Sequence, residues 1–234
     1  GIAPSLVSVS GGIVTIASHT EFALAEAPAA AAATITADGT GGADITVGGA
    51  LVARGVLPDH GFSRLDAPSG SDAVALLPGR RVALRRPVLL TLDGIAKGYA
   101  VDLAIDALAR AGVQQAVVNA GGDLRVFGPQ ALPLGIRSAD GAIRDAGLLR
   151  NAAVASSAIG LGAAARTRFP GCVIHPAGKE PAQRVPRVWS VRAAQCWRAD
   201  ALTKVAALAA PAQRDALLAR LGGTLVHPAQ EQAA

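Results

Sequence analysis

One continuous stretch of the chain constrains the fold more than any other. Residues 94–111 carry apolar side chains at helical spacing, and Gly112 stands where a helix C-cap is expected. Residues 113–119 are composed like a buried strand, and a further strand is expected at 124–127, directly after two glycines and an aspartate. The stretch therefore predicts a helix, a strand, a glycine turn and a second strand in direct succession.

The rest of the chain predicts short strands and few helices. Strands are expected in a hairpin over 5–16, on both sides of Pro87 within 81–92, and over 132–137, 151–156, 189–193 and 224–227. Helices are expected over 20–35, 200–210 and 213–221, and loops over 38–50, 54–80 and 160–187. Since strands outnumber helices and do not alternate with them, the sequence predicts an α+β fold, and its length fits one large domain or two small ones.

Composition excludes several classes of protein. Hydrophobic residues make up 51% and charged residues 17% of the chain, which excludes intrinsic disorder, and two Cys exclude a disulfide scaffold. No apolar run is long enough for a transmembrane segment. The net charge is +5, but the Arg residues are scattered and aromatic residues are only 3%, so no nucleic-acid partner is expected. No secretory signal is visible and the chain has no Met, which leaves the bacterial periplasm and the cytoplasm open.

The first stretch whose residues suit ligand binding or catalysis surrounds Lys97. Gly94 and Gly98 flank this lysine at the start of the expected helix. Free backbone N–H groups and the positive end of the helix dipole favour anions there, and an ammonium adds a charge suited to phosphate. A solvated lysine in the first turn of a surface helix is the alternative. With three Lys in the whole chain, the anion site is the favoured interpretation.

The second stretch is the glycine turn itself, Asn119-Ala120-Gly121-Gly122-Asp123. Two glycines allow the main chain to approach a ligand closely, and Asp123 stands at the start of the next strand. A tight turn with an aspartate that binds its own backbone explains the same residues equally well.

The third stretch contains Asp200, Thr203 and Lys204. Positions i, i+3 and i+4 share one helix face, so a carboxylate, a hydroxyl and an ammonium converge, and the two oxygen donors suit Mg²⁺. Taken alone, an N-capping aspartate with a surface Asp–Lys pair is the stronger interpretation. His175, in an irregular segment with Gly178 and Lys179 close by, is the best candidate for a general base.

Taken together, these stretches resemble one family, the ApbE proteins, which are FAD:protein FMN transferases. Gly94-Ile-Ala-Lys-Gly-Tyr-Ala-Val-Asp102 is similar to the family's G-I-A-K-G-Y-A-V-D segment, and Asn119–Asp123 is similar to its N-A-G-G-D motif. Thr40–Gly48 resembles its glycine-rich T-G-G-A-F-D-P-T-V-G segment with the Phe deleted, Val154–Ser157 resembles its A-T-S-G, and Ala199–Leu202 resembles the A-D-A-L that opens its metal helix. The resemblance covers about 38–221 of an N-terminally shortened member and implies a single ApbE-like domain, 1–234.

The resemblance implies a fold, an activity and a site. The fold would be ApbE-like, of T-fold type, with mixed, largely antiparallel sheets and packed helices. Mg²⁺ would bridge the pyrophosphate of FAD, FMN would pass to a Ser or Thr in the flavinylation motif of an acceptor flavoprotein, and AMP would leave. Gly94, Asp200 and Thr203 would hold Mg²⁺, with His175 as the base. FAD would be held by Thr40, Asp44, Lys97, Gly98, Asp102, Asn119, Ala120, Gly121, Gly122 and Asp123.

Four positions depart from the family pattern. Thr91 stands for an Asp, Cys172 for a His, His175 for an Asp, and Lys204 for a Thr or Ser on the metal helix. A lysine there would repel Mg²⁺ or partly replace it, and Asp93 and Thr203 are substitute ligands. Two hypotheses follow: a divergent FMN transferase, which is favoured, or a relative that binds or hydrolyses FAD without the transfer step.

Overall fold

The computed structural model describes the larger part of the chain, and the fold is given for those residues. They are residues 7–10, 13–16, 22–23, 44–59, 61, 70–77, 81–159, 173–175 and 187–228. The chain divides into two compact units, one made of Gly1–Ala96 with Ile174–Pro181, the other of Lys97–Val173 with Ala182–Ala234. The single domain expected from the sequence stays a prediction.

The first unit contains two three-stranded antiparallel sheets, β1-β2-β6 and β3-β5-β4. Its strands are β1 (Val7–Ser10), β2 (Ile13–Ile16), β3 (Phe22–Ala23), β4 (Val74–Leu77), β5 (Arg81–Leu84) and β6 (Leu89–Thr91). Strands β1 and β2 form the expected hairpin, and β5 and β6 lie on the two sides of Pro87 as expected. Strand β4 lies inside a region predicted as loop, and β3 lies inside the helix predicted over 20–35.

The glycine-rich segment 38–50 is predicted as a loop; its residues 38–43 lie outside the described part of the chain, and from residue 44 on it is not a loop. A 3-10 turn, Ile45–Val47, leads directly into a helix, α1 (Gly48–Ala53). Asp44 caps the turn, since its Oδ1 accepts hydrogen bonds from the backbone N–H and the hydroxyl of Thr46 at 2.8 and 2.7 Å. A Cβ atom on Gly48 would overlap the carbonyl group of Leu89 on β6, so this glycine permits close packing of α1 on the sheet.

The second unit contains three helices and two antiparallel sheets. The helices are α2 (Ala96–Arg110), α3 (Cys196–Leu208) and α4 (Pro211–Arg220). The strands are β7 (Ala116–Ala120), β8 (Asp123–Phe127), β9 (Leu132–Arg137), β10 (Ile143–Leu149), β11 (Ala152–Ile159), β12 (Arg187–Ala193) and β13 (Gly223–Leu225). Five of these strands pair in the order β13-β12-β11-β8-β7, and β9 pairs with β10.

Helix α3 lies at the centre of the core of this unit. Nine of its 13 residues are buried, because it packs on β11 and β12 and also contacts α4. A helix that is buried on most sides needs small residues where it meets its neighbours, and α3 supplies alanines, among them Ala199 and Ala206, at 0% exposure. Polar residues inside such a helix are enclosed by protein, and this determines the environment of Asp200 and Thr203.

Most of the predicted elements of this unit are confirmed, and every described strand pairing in the molecule is antiparallel. Helix α2 ends at Arg110, directly before Ala111 and Gly112. Strand β10 was not predicted, and α3 begins at Cys196 rather than at Asp200. None of the described helices is long and apolar enough to cross a membrane.

Candidate functional site

Three segments of the second unit bring four charged side chains together. Lys97 lies in the first turn of α2, Asp123 at the first position of β8, and Asp200 and Lys204 one turn apart on α3. The Lys97 Nζ is 3.1 Å from Asp123 Oδ2 and 3.6 Å from Asp200 Oδ2. The Lys204 ammonium forms an ion pair with Asp200 Oδ1 and donates to the Asp200 carbonyl oxygen at 3.0 Å. We call these four side chains the charge cluster.

Gly98 allows the two helices of the charge cluster to meet. A Cβ atom at this position would overlap the carbonyl group of Cys196, so only glycine permits this approach of α2 to the start of α3. The backbone N–H of Gly98 then points at Asp200 Oδ2, at 3.4 Å. The glycine next to Lys97 is therefore explained by packing between helices, which also brings Lys97 to Asp200.

The two carboxylates of the charge cluster are enclosed, whereas Lys97 reaches solvent. Asp123 and Asp200 are each 1% exposed, but the Lys97 side chain is 53% exposed and that of Lys204 is 19% exposed. Among the described residues, Asp123 Oδ2 is a buried oxygen without a hydrogen bond of good geometry, although Lys97 pairs with it electrostatically. The cluster therefore presents one accessible cation, backed by buried negative charge.

Burial and neighbouring charges set the pKa values of Asp123 and Lys97. Burial, and then the negative charge of Asp200, raise the pKa of the Asp123 carboxyl to about 6 against the opposing effect of Lys97. Burial acts to lower the pKa of Lys97, but the negative charges of Asp200 and Asp123 outweigh it, and the net pKa is raised. Lys97 is therefore held in its cationic form.

The glycine turn between β7 and β8 is open. Gly121 and Gly122 have φ values of 69° and 105°, a backbone conformation that favours glycine. A Cβ atom on either residue would meet nothing within 4 Å, and the Asn119 side chain closes the turn by accepting from the Gly122 N–H at 2.9 Å. A ligand can therefore approach the main chain of this turn, directly before the buried Asp123.

Asp102 lies in a different environment from the other residues predicted to contact the flavin. Its carboxylate accepts hydrogen bonds from the backbone N–H groups of Cys196 and Trp197 at 3.0 and 2.9 Å, and Arg125 pairs with it at 2.7 Å. These N–H groups belong to the first turn of α3, so Asp102 on α2 caps the start of this helix. Asp102 therefore fixes α3, and with it Asp200, relative to α2.

The chain matches a known family over most of its length. The model of the ApbE family covers residues 27–226. This chain belongs to the ApbE family. No curated protein sequence matches it.

Solved structures of ApbE proteins share its fold. The flavinyl transferase ApbE of Pseudomonas stutzeri aligns over 85% of this chain and 67% of its own, with a TM-score of 0.68 at 24% identity. The flavin transferase ApbE of Vibrio cholerae aligns over 86% and 70%, with a TM-score of 0.63 at 20% identity. The ApbE protein of Thermotoga maritima aligns over 87% and 75%, with a TM-score of 0.66 at 22% identity. The α+β, largely antiparallel ApbE fold expected from the sequence is therefore confirmed.

The structure gathers part of the predicted ApbE site in one place. Lys97, Gly98, Asp123 and Asp200 meet in the second unit, next to the turn that begins at Asn119. Ala120 is half-buried at the end of β7. Asp44, Gly94 and His175 belong to the first unit, where His175 is exposed. Thr40 and Cys172 lie outside the described residues.

Two pairs of hydroxyl groups near the charge cluster were not predicted. Ser157 Oγ lies 2.6 Å from Thr203 Oγ1, and Ser156 Oγ lies 2.7 Å from Ser190 Oγ. The Ser156 N–H also points at Asp123 Oδ1, at 3.4 Å. Only the pairing of β11 with β12 brings Ser156 to Ser190, so no local sequence signal indicates this hydroxyl pair.

The donor set expected for Mg²⁺ does not fit a divalent cation. Lys204 pairs with Asp200 Oδ1, while the Gly98 N–H and Lys97 face Asp200 Oδ2. The Thr203 hydroxyl donates to the Asp200 carbonyl at 2.7 Å, and it has 0% exposure. Within the described part of the chain, no group of three or more His, Cys, Asp or Glu side chains could hold a metal ion. Each candidate oxygen of α3 already has a partner within the protein.

Proposed function

We propose that this ApbE protein transfers FMN from FAD to a serine or threonine hydroxyl of an acceptor flavoprotein and releases AMP. Membership of the ApbE family supports flavin transfer in general. The observation that carries the proposal is Lys97, whose half-exposed ammonium lies 3.1 Å from the buried Asp123, directly after an open glycine turn. A cation on a fixed carboxylate, next to accessible backbone, suits the pyrophosphate of a dinucleotide.

In this proposal the pyrophosphate of FAD lies against Lys97 and the main chain of Gly121 and Gly122. Asp123 and Asp200 hold the ammonium in place, so its position is fixed before the ligand arrives. Asp102 contributes by positioning α3 rather than by contact. The other flavin contacts expected from the resemblance, Thr40 and Asp44 among them, stay part of the proposal.

The transfer is an in-line displacement at phosphorus. The acceptor hydroxyl oxygen attacks the phosphorus of the FMN half, and the bond from this phosphorus to the bridging oxygen breaks. AMP leaves with the bridging oxygen, and the hydroxyl proton passes to a base. His175, whose side chain is exposed, is the proposed base. The ammonium of Lys97 balances the charge that develops on the leaving phosphate.

No Mg²⁺ step is part of this transfer, although the resemblance leads one to expect it. The Asp200 carboxylate and the Thr203 hydroxyl are paired inside the protein. Cys172 and Lys204, which depart from the family pattern, favour a second candidate function, hydrolysis of FAD to FMN and AMP with water in place of the acceptor hydroxyl. Both functions break the same P–O bond and differ only in the attacking oxygen.

The test mixes the full chain with FAD and a flavoprotein peptide that carries the acceptor threonine. Transfer predicts AMP in solution and a peptide whose mass has increased by one FMN. Parallel reactions contain Mg²⁺ or EDTA. A peptide with Thr→Val at the acceptor position is the matched control, because it keeps the shape and lacks the hydroxyl.

The products separate the two functions. AMP and free FMN with an unmodified peptide would identify the hydrolase. Intact FAD in both the Mg²⁺ and the EDTA reactions would exclude hydrolysis, and it would exclude transfer to this peptide. The proposed transfer fails if a set of unrelated threonine peptides also leaves FAD intact.

A further inference from the structure

Lys204 occupies the place on α3 where a metal would need open oxygen ligands. It lies one helical turn after Asp200, so its side chain runs back along the same face of the helix. Its ammonium pairs with Asp200 Oδ1 and donates to the carbonyl oxygen of the same residue at 3.0 Å. One ammonium therefore engages two oxygens of a single aspartate, and this aspartate is 1% exposed.

We propose that the Lys204 ammonium replaces a divalent cation at Asp200, so that this site keeps its charge balance without a metal and excludes Mg²⁺. The inference concerns the site used in the proposed function, but it does not depend on the transfer reaction.

Charge balance within the cluster supports the replacement. Two carboxylates, Asp123 and Asp200, are buried together, and burial of unpaired charge is costly. Lys97 lies within 3.1 and 3.6 Å of these two carboxylates, and Lys204 completes the pairing on the other oxygen of Asp200. The formal charges cancel, two negative against two positive. A divalent ion would leave the cluster with an excess of positive charge unless a lysine departed.

The ligand geometry supports it as well. Mg²⁺ requires about six oxygen ligands in a near-ideal octahedron and gives up its own waters reluctantly. To reach Asp200, which is 1% exposed, the ion would have to displace Lys204 from Oδ1. Thr203 offers no compensation, because its hydroxyl is held between the Asp200 carbonyl and Ser157 Oγ at 2.7 and 2.6 Å.

The two lysines then have different tasks. The Lys204 side chain is 19% exposed and neutralises Asp200 from within the protein, while that of Lys97 is 53% exposed. An anionic ligand therefore meets Lys97 and not Lys204. Lys204 acts as a positioning residue, since it holds one oxygen of Asp200 and leaves the second oxygen directed at Gly98 and Lys97.

Binding of Mn²⁺ tests the proposal without any need for activity. Mn²⁺ stands in for Mg²⁺, and the free ion is measured by electron paramagnetic resonance in titrations of the full chain. We expect no saturable site in the wild type. We expect one saturable site in Lys204→Thr, because the variant removes the ammonium and adds a hydroxyl. Arg220→Thr is the matched control: it removes an exposed cation from α4, and it should bind as little Mn²⁺ as the wild type.

Two results would overturn the proposal. One is a saturable Mn²⁺ site in the wild type that disappears in Asp200→Asn, which would show that the ion displaces Lys204. The other is the absence of a site in the folded Lys204→Thr and Lys204→Gln variants, which would show that Lys204 is not what excludes the ion. If circular dichroism shows that the first variant is unfolded, the glutamine variant, whose side chain is closer in length to that of lysine, decides this arm. The Mn²⁺ titration of the wild type tests the proposal whether or not the Lys204→Thr variant folds.

Discussion

The backbone of Gly98 on α2 lies so close to Cys196 on α3 that a Cβ atom on the glycine would overlap the Cys196 carbonyl oxygen. We expect Gly98→Ala to lower the free energy of unfolding by about 1–3 kcal/mol, since an added methyl group at a rigid contact forces the backbones apart. The same change in an open helix would stabilise it by about 1 kcal/mol, so the sign separates the two cases. Urea unfolding of the full chain measures the difference.

Ala100→Ser is the control for this prediction. It also adds one heavy atom to α2, but at an exposed position two residues along the helix. We expect a change within about 0.5 kcal/mol. A Gly98→Ala variant as stable as this control would contradict the close contact.

Asp102 should contribute to stability through α3 rather than through a ligand. Its carboxylate caps the first N–H groups of α3 and pairs with Arg125. We expect Asp102→Ala to lower the free energy of unfolding by about 2–4 kcal/mol, because a helix cap and the partner of a largely buried guanidinium are lost together. Asp106→Ala, on the same helix, removes a carboxylate that is exposed and approaches Arg125 only at 3.9 Å, so it should change the free energy of unfolding by no more than about 0.5 kcal/mol. Equal losses in the two variants would refute the capping role.

The start of α3 shows why part of the fold could not be predicted from the sequence. Gln195 stands at the N-cap position and its side chain makes no capping hydrogen bond, so no local signal marks the beginning of the helix. The cap comes from Asp102, which lies 94 residues before Cys196 in the chain. By contrast, α2 has its apolar spacing and its C-terminal glycine within one stretch, and the prediction was confirmed to within two residues.

Glycine content misled the prediction at α1 for a related reason. A glycine-rich segment has a weak intrinsic tendency to form a helix, but Gly48 lies against Leu89 on β6, where any side chain would collide. Strand β10 was missed because six of its seven residues are not buried, so it shows no apolar alternation and forms by pairing with β9.

The sequence predicts which residues form the candidate site better than it predicts how they are arranged. The i, i+4 spacing predicts an ion pair of Asp200 with Lys204, which is confirmed. The rest of that interpretation, an N-capping Asp200 and a pair on the surface, is wrong, because the helix begins at Cys196 and Asp200 is 1% exposed. The spacing does not predict that the pair is buried, because burial depends on the packing of α3 against β11 and β12. The convergence of Lys97 with Asp123 and Asp200 likewise depends on contacts between distant segments, and only the family resemblance indicates it.

The raised pKa of Asp123 predicts a pH dependence of stability. The folded protein holds the carboxyl proton up to a pKa of about 6, whereas the ordinary value is 3.8. Between these two pH values the folded state binds more protons at Asp123 than the unfolded state does. The contribution of Asp123 to the free energy of unfolding is therefore fully present below the lower value and is lost as the pH rises through the upper one. We expect a loss of about 1–3 kcal/mol from this group across that interval.

Urea unfolding across this pH interval checks the sign. Asp123→Asn keeps the shape of the side chain without its titration and should flatten the pH profile, whereas Asp106→Asn should keep the slope of the wild type. An equally steep decline in Asp123→Asn would assign the titration to another group.

Lys97 provides the prediction that bears most directly on the proposed ligand. Its half-exposed ammonium is held by two buried carboxylates, and a charge-assisted hydrogen bond contributes about 1.5–3 kcal/mol. We therefore expect Lys97→Gln to weaken FAD binding about 10- to 100-fold, as measured by quenching of flavin fluorescence. Added salt should weaken binding to the wild type more than to the variant, because a partly exposed charge is screened. Arg110→Gln removes an exposed cation from the other end of α2 and should leave the affinity unchanged. If Lys97→Gln binds FAD as tightly as this control does, Lys97 does not contact the pyrophosphate.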